Sequence, residues 1–276
     1  MSKLLKADFT RLWKSKLLWI LSALMFLAGA FFPLEYYRES VYFHTTYPAD
    51  NCLMIFAVLA PMAASVFASL FVGTEYHDGT IRNKITAGCS RAAMYLSNLI
   101  TCLAGGIVLC AAYLIPYFGF SIPFLGKFQH TPQSIALHIG AALAGMASFT
   151  ALFVLISLLC ASKSHAAVFC IMMTFVMFFG CVYMQAKLNE PEYYDSYTYT
   201  EGDQLITVPA EKNSNYVAGT KREVFSFFVD YLPAGQSMAL THMSGEKLDR
   251  YAEYDFLTFV LSTGAGIFLF RRKDLK

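Results

Sequence analysis

Side chains able to do chemistry are few in this 276-residue chain, and they are badly spaced for it. Six histidines, His44, His77, His130, His138, His165 and His242, stand far apart. No H-E-x-x-H pair sets two of them on one helix face over a metal. No G-x-S-x-G turn presents a nucleophilic serine. The seven cysteines include no C-x-x-C pair, and five fall in apolar runs, where a free thiol behaves as a small hydrophobe. No G-x-x-x-x-G-K-[ST] loop is present to cradle a nucleotide phosphate. These residues point away from an enzyme and toward a chain with no catalytic group, metal or cofactor of its own.

One short stretch is dense in polar groups. It is "GTEYHDGTIRNKITAG", Gly73 to Gly88, set between two long apolar runs. Asp78-Gly79 is a turn signal. Thr80 can cap a short helix over 81–87, Gly88 can end it in the left-handed conformation, and Ser90 can cap the next helix, with Arg91 near the interface. The expected order is span, turn, short helix, turn, span. A stiff connector of this kind can carry a rigid-body push into a membrane. The plainer alternative is that any loop of this length needs caps and charges to stay in water. Glu75 stands at the membrane edge, where an acid is costly without a partner. Lys6, Arg11 and Lys14 are the bases placed to supply one.

The elements that must hold this stretch follow from composition. The chain is 57% hydrophobic and 14% charged, against about 25% charged in a soluble domain. Six apolar runs, 17–32, 53–72, 96–120, 135–161, 166–184 and 256–270, contain no Asp, Glu, Lys or Arg. Runs of about 20 such residues suit a bilayer core about 30 Å thick. Lipid offers the backbone no partner, so each run is expected to be a helix. The segments 1–16, 73–95, 162–165 and 271–276 hold 13 Lys and Arg, whereas 33–52 and 121–134 hold one each. The basic excess puts the first set, and both termini, in the cytoplasm. The formal charge of +2 reflects this topology, and no nucleic-acid module is present. Cleavage after Ala28-Gly29-Ala30, as in a signal peptide, is disfavoured by a 16-residue basic start and five further spans. The six runs contain no carboxylate or base beyond His138, which disfavours an ion-driven carrier.

Two flanking segments are patterned. In the first, Leu5, Phe9, Leu12 and Trp13 share one helical face and Lys6, Thr10 and Lys14 another, the signature of a basic helix lying in the interface. Between the fifth and sixth spans lies a large outer segment whose first half is polar, tyrosine-rich and suited to irregular or short-strand structure. Its second half contains "REVFSFFVDYLPAGQ", a helix apolar nearly all round and ended by Pro233 and Gly235, expected either to dip into the outer leaflet or to pack over the outer ends of the spans, with Phe227, Phe228, Tyr231, Leu232, Pro233 and Gly235 as its packing residues. In the fourth span Gly140, Ala144 and Ser148, with Ala141 and Gly145, permit close helix contact.

The stretch "EYHDGT", Glu75 to Thr80, resembles the E-x-x-x-G-T motif at the end of the second span in permease subunits of ABC-2 type transporters. The wider run "VGTEYHDGTIRNKITAGCSRAAMYLSNLI" is similar to permeases of small ABC exporters of Gram-positive bacteria, including those linked to antimicrobial-peptide resistance. "YLPAGQ", Tyr231 to Gln236, resembles a motif before their last span. The resemblance implies an all-α polytopic exporter subunit of the bacterial cell membrane, and spans without charged residues favour an amphipathic or lipid-like cargo, such as a peptide antibiotic or lipid, over a small ion. The resemblance sets the plan of the chain. It divides the chain into 1–184 (interfacial helix and five spans, with the coupling segment 73–95), 185–255 (extracellular) and 256–276 (sixth span and basic tail). It implies two cytoplasmic P-loop ATPase subunits carrying ATP and Mg, a second permease chain, same or related, and membrane lipid as partners. By position it makes Glu75, Gly79, Thr80, Arg82, Asn83 and Lys84 the ATPase-coupling residues. A non-transporting immunity or sensor protein, binding a ligand through the extracellular segment, is the alternative.

Overall fold

A computed structural model describes residues 2–160, 162–201, 204–243 and 247–273. The first helix, α1 (Ser2–Lys14), is separate from the second, α2 (Lys16–Phe43). Ser15 breaks them apart: it is extended, and its Oγ accepts the Leu18 N–H that α2 leaves unbonded. A short 3-10 turn, Leu53–Ile55, leads into α3 (Phe56–His77), and α4 (Thr80–Thr86) connects it to α5 (Arg91–Leu125). Then come α6 (Pro132–Leu159) and α7 (Lys163–Asn189). Thr131 caps α6, with Pro132 in its first turn where no N–H is missed. The long helices α2, α3, α5, α6 and α7, with α10 (Leu248–Arg272), are long and apolar enough to cross a membrane. The fold is therefore that of an all-α polytopic membrane protein with six spans.

The spans alternate in direction, so the molecule has two ends. One carries α1 and α4; the other carries the chain between α7 and α10. Helix α2 packs on α5, α10 on α6, and α3 on α5, α6 and α7, which makes α3 and α6 the centre of the bundle. Its core is aromatic, with Tyr95, Tyr113, Tyr117, Phe67, Phe149 and Phe153 fully buried. Trp19, Leu24, Phe31, Phe169, Phe179 and Phe268 face outward, as lipid-facing side chains do.

Several helices outrun the apolar sequences that announced them. Helix α2 continues through Pro33 to Phe43, α7 passes residue 184 to reach Asn189, and α10 begins at Leu248. Backbone hydrogen bonding, not side-chain polarity, sets a helix end, and these ends stand beyond the apolar core. Helix α10 thereby takes Asp255 into a membrane-capable helix, a carboxylate that the six apolar runs had left outside.

The segment after α7 forms two antiparallel two-stranded ladders. β1 (Tyr193–Tyr194) pairs with β4 (Glu211–Lys212), and β2 (Tyr197–Glu201) with β3 (Gln204–Val208). Asn213 pins their base, donating to Glu190 and to the Pro191 carbonyl at 2.8 and 3.1 Å. The helix that follows corrects the expected helix end, and of its two expected placements it does not take the one packed over the spans by its phenylalanines. α8 (Thr220–Tyr231) buries only Val229, and Phe227 and Phe228 are about half exposed, at 52% and 43%. The first stacks on Tyr231 and meets Tyr254 edge-on. Pro233 and Gly235 do not end the apolar helix; Leu232 does, and Pro233 opens a second helix, α9 (Pro233–Leu240). That helix does the packing, with residues 233–237 all buried. Gly235 permits it: a Cβ there would stand 2.1 Å from the Val229 carbonyl oxygen. Periodicity predicted a packed face on α8, but the chain reverses at Leu232 and presents the smaller residues instead.

Candidate functional site

The polar stretch folds as its turn residues dictate. Gly79 takes the left-handed conformation at φ 67°, and Gly88 does so at φ 81°. An L side chain is strained at such angles. Gly79, not Thr80, is the N-cap of α4, and its carbonyl accepts from the N–H groups of Arg82 and Asn83. Thr80 turns its hydroxyl back to the Glu75 carbonyl at 3.1 Å. Ser90 caps α5 through the Ala93 N–H.

Glu75 occupies the last turn of α3 and is wholly buried. Arg11 of α1 and Lys84 of α4 each reach its Oε1 at 2.5 Å. Asn98 of α5 donates to Oε2 at 3.2 Å. The knot continues: Lys84 Nζ also donates to Asp8 at 2.9 Å, and Ser97 Oγ donates to the other Asp8 oxygen at 2.6 Å. Arg11 lies over the Phe71 ring at 3.9 Å and donates to Asn98 Oδ1 at 3.4 Å. Two acids and two bases from α1, α3 and α4 cancel in charge. Two polar groups of α5 add hydrogen bonds to the knot, and only the Arg11 Nε is left in it without a partner among the described residues. A buried charge tolerates such a place only when paired and hydrogen-bonded.

A second set of ties closes the same end. Arg91 donates to the Phe270 and Arg271 carbonyls at 3.3 and 3.1 Å, and also to that of Lys273. Lys273 Nζ donates to the Tyr76 hydroxyl and the Leu158 carbonyl, both at 2.9 Å. Burial pulls the Lys273 ammonium below its ordinary pKa. Helices α3, α5, α6 and α10 are thus joined where α4 attaches.

Of the six residues named from the motif, Glu75, Gly79, Thr80 and Lys84 build this connection from within. The Lys84 amine is engaged inside the protein, its side chain only 14% exposed. Arg82 and Asn83 lie on the opposite, exposed face of α4. Ile85 joins them there at 38% exposure, an apolar side chain that the motif did not single out. Asp8, Ser97 and Asn98 were also missed. Asp8 carried a signal, since it is the one acid in an N-terminal stretch with five bases. Of the three bases offered as partners for Glu75, the structure selects Arg11.

The opposite end holds two further features. Asp50, 5% exposed, accepts from the Gln129 and His130 N–H groups at 3.2 and 2.9 Å and from His130 Nδ1 at 2.5 Å. Burial alone would raise its carboxyl, but the bonds from His130 and Gln129 hold it below the usual range. The pair joins the loop after α2 to the loop after α5. Nearby, a cavity of about 540 Å³ lies between α3, α7 and α9. Met62, Phe175, Phe178 and Met238 make it apolar, and Gln185, Asn189 and His242 give it polar groups.

A family model described as ABC-2 family transporter protein matches residues 4–181, well over half of the chain. The matched span contains α1, α3, α4 and α5, and so every residue of the ionic knot. No curated protein matches the sequence.

Proposed function

The chain belongs to the ABC-2 transporter family, and from that membership we propose that it is the permease subunit of an ATP-driven exporter in a bacterial cell membrane. It is a multi-pass membrane protein and a transporter component, and the family implies association with an ABC ATPase partner. In this reading two permease chains, alike or related, stand in lipid over two cytoplasmic ATPase subunits, which bind ATP and Mg. The α4 end faces the cytoplasm, as the excess of Lys and Arg in its segments supports.

The observation that carries the reading is the knot around Glu75. A helix of seven residues on a slack loop would absorb a push from a partner. Here α4 is held to α3 through Lys84–Glu75 and to α1 through Lys84–Asp8. Displacing α4 therefore displaces the base of α3, a helix at the centre of the bundle. The exposed face of α4, with Arg82, Asn83 and Ile85, is the one turned toward the ATPase in this reading. The cavity between α3, α7 and α9 supports an amphipathic or lipid-like cargo, a peptide antibiotic being one such molecule. Resistance to antimicrobial peptides would follow from export of that cargo.

Purification of the tagged chain in mild detergent tests the class: a P-loop ATPase is expected at equal stoichiometry. Arg82→Glu should reduce its recovery, because reversing one partner of a desolvated pair costs about 2–5 kcal/mol. Gly79→Val should leave the complex formed but lower transport-linked ATP hydrolysis, because a branched residue resists the φ of 67°. Normal binding and normal transport in both variants would reduce α4 to a capped, wet loop.

A further inference from the structure

Helices α6 and α10 pack along one another, and their seam holds a carboxylate with no basic partner among the described residues. Asp255 is 2% exposed, and neither side-chain oxygen bonds any group among the described residues. It is the eighth residue of α10, so it lies about 10 Å along the helix from its start, at 1.5 Å per residue. It faces Gly145 of α6, where a Cβ would come within 3.4 Å of Oδ2. The neighbouring Ser148 hydroxyl donates to the Asp255 backbone carbonyl at 2.7 Å and stands beside the carboxylate, a neutral neighbour and not a charged one.

Seven residues before Gly145, and so on the same face of α6, stands His138. It is 1% exposed. Its Nδ1 lies 2.7 Å from the Ser134 carbonyl oxygen, so Nδ1 carries the hydrogen that is donated. Nε2 is then a bare lone pair, and it too bonds nothing among the described residues. The His138 ring is 6.5 Å from that of His130, centroid to centroid. His130 is 36% exposed and is oriented by Asp50. One partly exposed imidazole, one buried imidazole with a free lone pair, and one buried acid without a basic partner therefore follow each other into the molecule.

We propose that Asp255 is a proton-binding site within the α6–α10 seam, reached from the α8–α9 end through His130 and His138. A proton from water forms an N–H bond at His138 Nε2, then leaves it to form an O–H bond at Asp255. The imidazole returns to neutral, and the carboxylate loses its charge of −1. The gap between them, about 10 Å along α6, is longer than a hydrogen bond, so this transfer requires water to enter between them. The physical reason is the surroundings. His138 is the only titratable residue in α6, and α9 has none. On α8, Asp230 is paired with Lys247 and Tyr231 packs on Tyr254. On α5, Arg91 and Tyr95 contact α10 only near Ser262 and beyond. On α10 itself Tyr251 is buried one turn away, while Asp249, Arg250 and Glu253 are exposed and Arg271 and Arg272 lie at the far end. No base among the described residues faces Asp255, and a closed seam of this kind favours the neutral acid.

Infrared titration of the full chain in lipid nanodiscs tests this. The wild type should show a carboxylic C=O band that persists at neutral pH, and Asp255→Asn should lack it. Should Asp255→Asn fail to insert, Asp255→Glu should shift the band instead of abolishing it. His138→Gln should keep the band but slow its hydrogen–deuterium exchange by at least about tenfold, as loss of a proton carrier does. A wild type without the band, or variants at 255 that keep it unchanged, would overturn the site. Equal exchange rates in wild type and His138→Gln would overturn the route.

Discussion

Glu75 and Asp255 are both carboxylates removed from water, at 0% and 2% exposure, and the protein surrounds them in opposite ways. Glu75 meets a guanidinium, an ammonium and an amide, drawn from three other helices. Asp255 meets a glycine and a serine hydroxyl, and no base among the described residues. The first arrangement makes the charge a rivet, since no helix of the knot can leave without stranding the charge of another. The second leaves the charge uncompensated, so the group responds to anything that brings it water or a proton. Burial by itself does not say whether an ionisable group is structural. The partners do.

The contrast is broken most directly at the two acids. Glu75→Ala leaves Arg11 and Lys84 facing an empty site, and it should cost about 3–5 kcal/mol, as removing one partner of a buried ion pair does. Asp255→Asn removes no partner and should be close to neutral, or stabilising by about 1 kcal/mol. Unfolding of the two variants in detergent measures the difference. Equal losses would mean that the surroundings of the two acids are energetically alike.

Asp50 sharpens the comparison from the other end, as a satisfied carboxylate that is not in the bundle. Its folded-state pKa is lowered. Its contribution is therefore complete above the unfolded value of about 3.9 and is lost as pH falls through the folded one. Limited proteolysis of the loops at 44–52 and 126–131 should rise on acidification in the wild type. Asp50→Asn should show the faster cleavage already at neutral pH, at a cost of about 1 kcal/mol. Equal cleavage of both proteins at neutral pH would show that the loops are held by other contacts, such as Tyr117 to Ala49 at 3.0 Å.

The smallest effect is expected on α8. Phe228 is 43% exposed, and the half-buried Asp230 is held by Lys247 through two bonds of 2.9 and 2.7 Å. Phe228→Asp should change stability by no more than about 0.5 kcal/mol if water covers that face, as surface substitutions do. A loss of several kcal/mol in nanodiscs, but not in short-chain detergent, would place the Phe228 face in lipid.

The six spans, the separate first helix, the two left-handed glycines around α4 and the Ser90 cap were legible in the sequence. Each is a local property: a run of side chains that lipid accepts, or a turn that one residue type favours. Helix ends were less legible, because α7 and α10 continue past the apolar residues for as long as backbone bonding does. The break between α8 and α9 was missed for a related reason. Periodicity says which residues share a face, but only the reversal at Leu232 decides which face meets the bundle.

Composition and order along the chain thus determined a membrane protein of six helices with a stiff polar connector after the second span. Tertiary structure alone decided what the charges on that connector do. Glu75 and Lys84 are nine residues apart, but Asp8 and Ser97 are 89 apart. Nothing in their spacing announces that α1 will lie across the start of α5 and bring them within a hydrogen bond. The same holds for Asp255, just outside an apolar run in the sequence and inside a helix seam in the fold. Whether a charge is compensated depends on what approaches it from other helices, and that is fixed only when the helices pack.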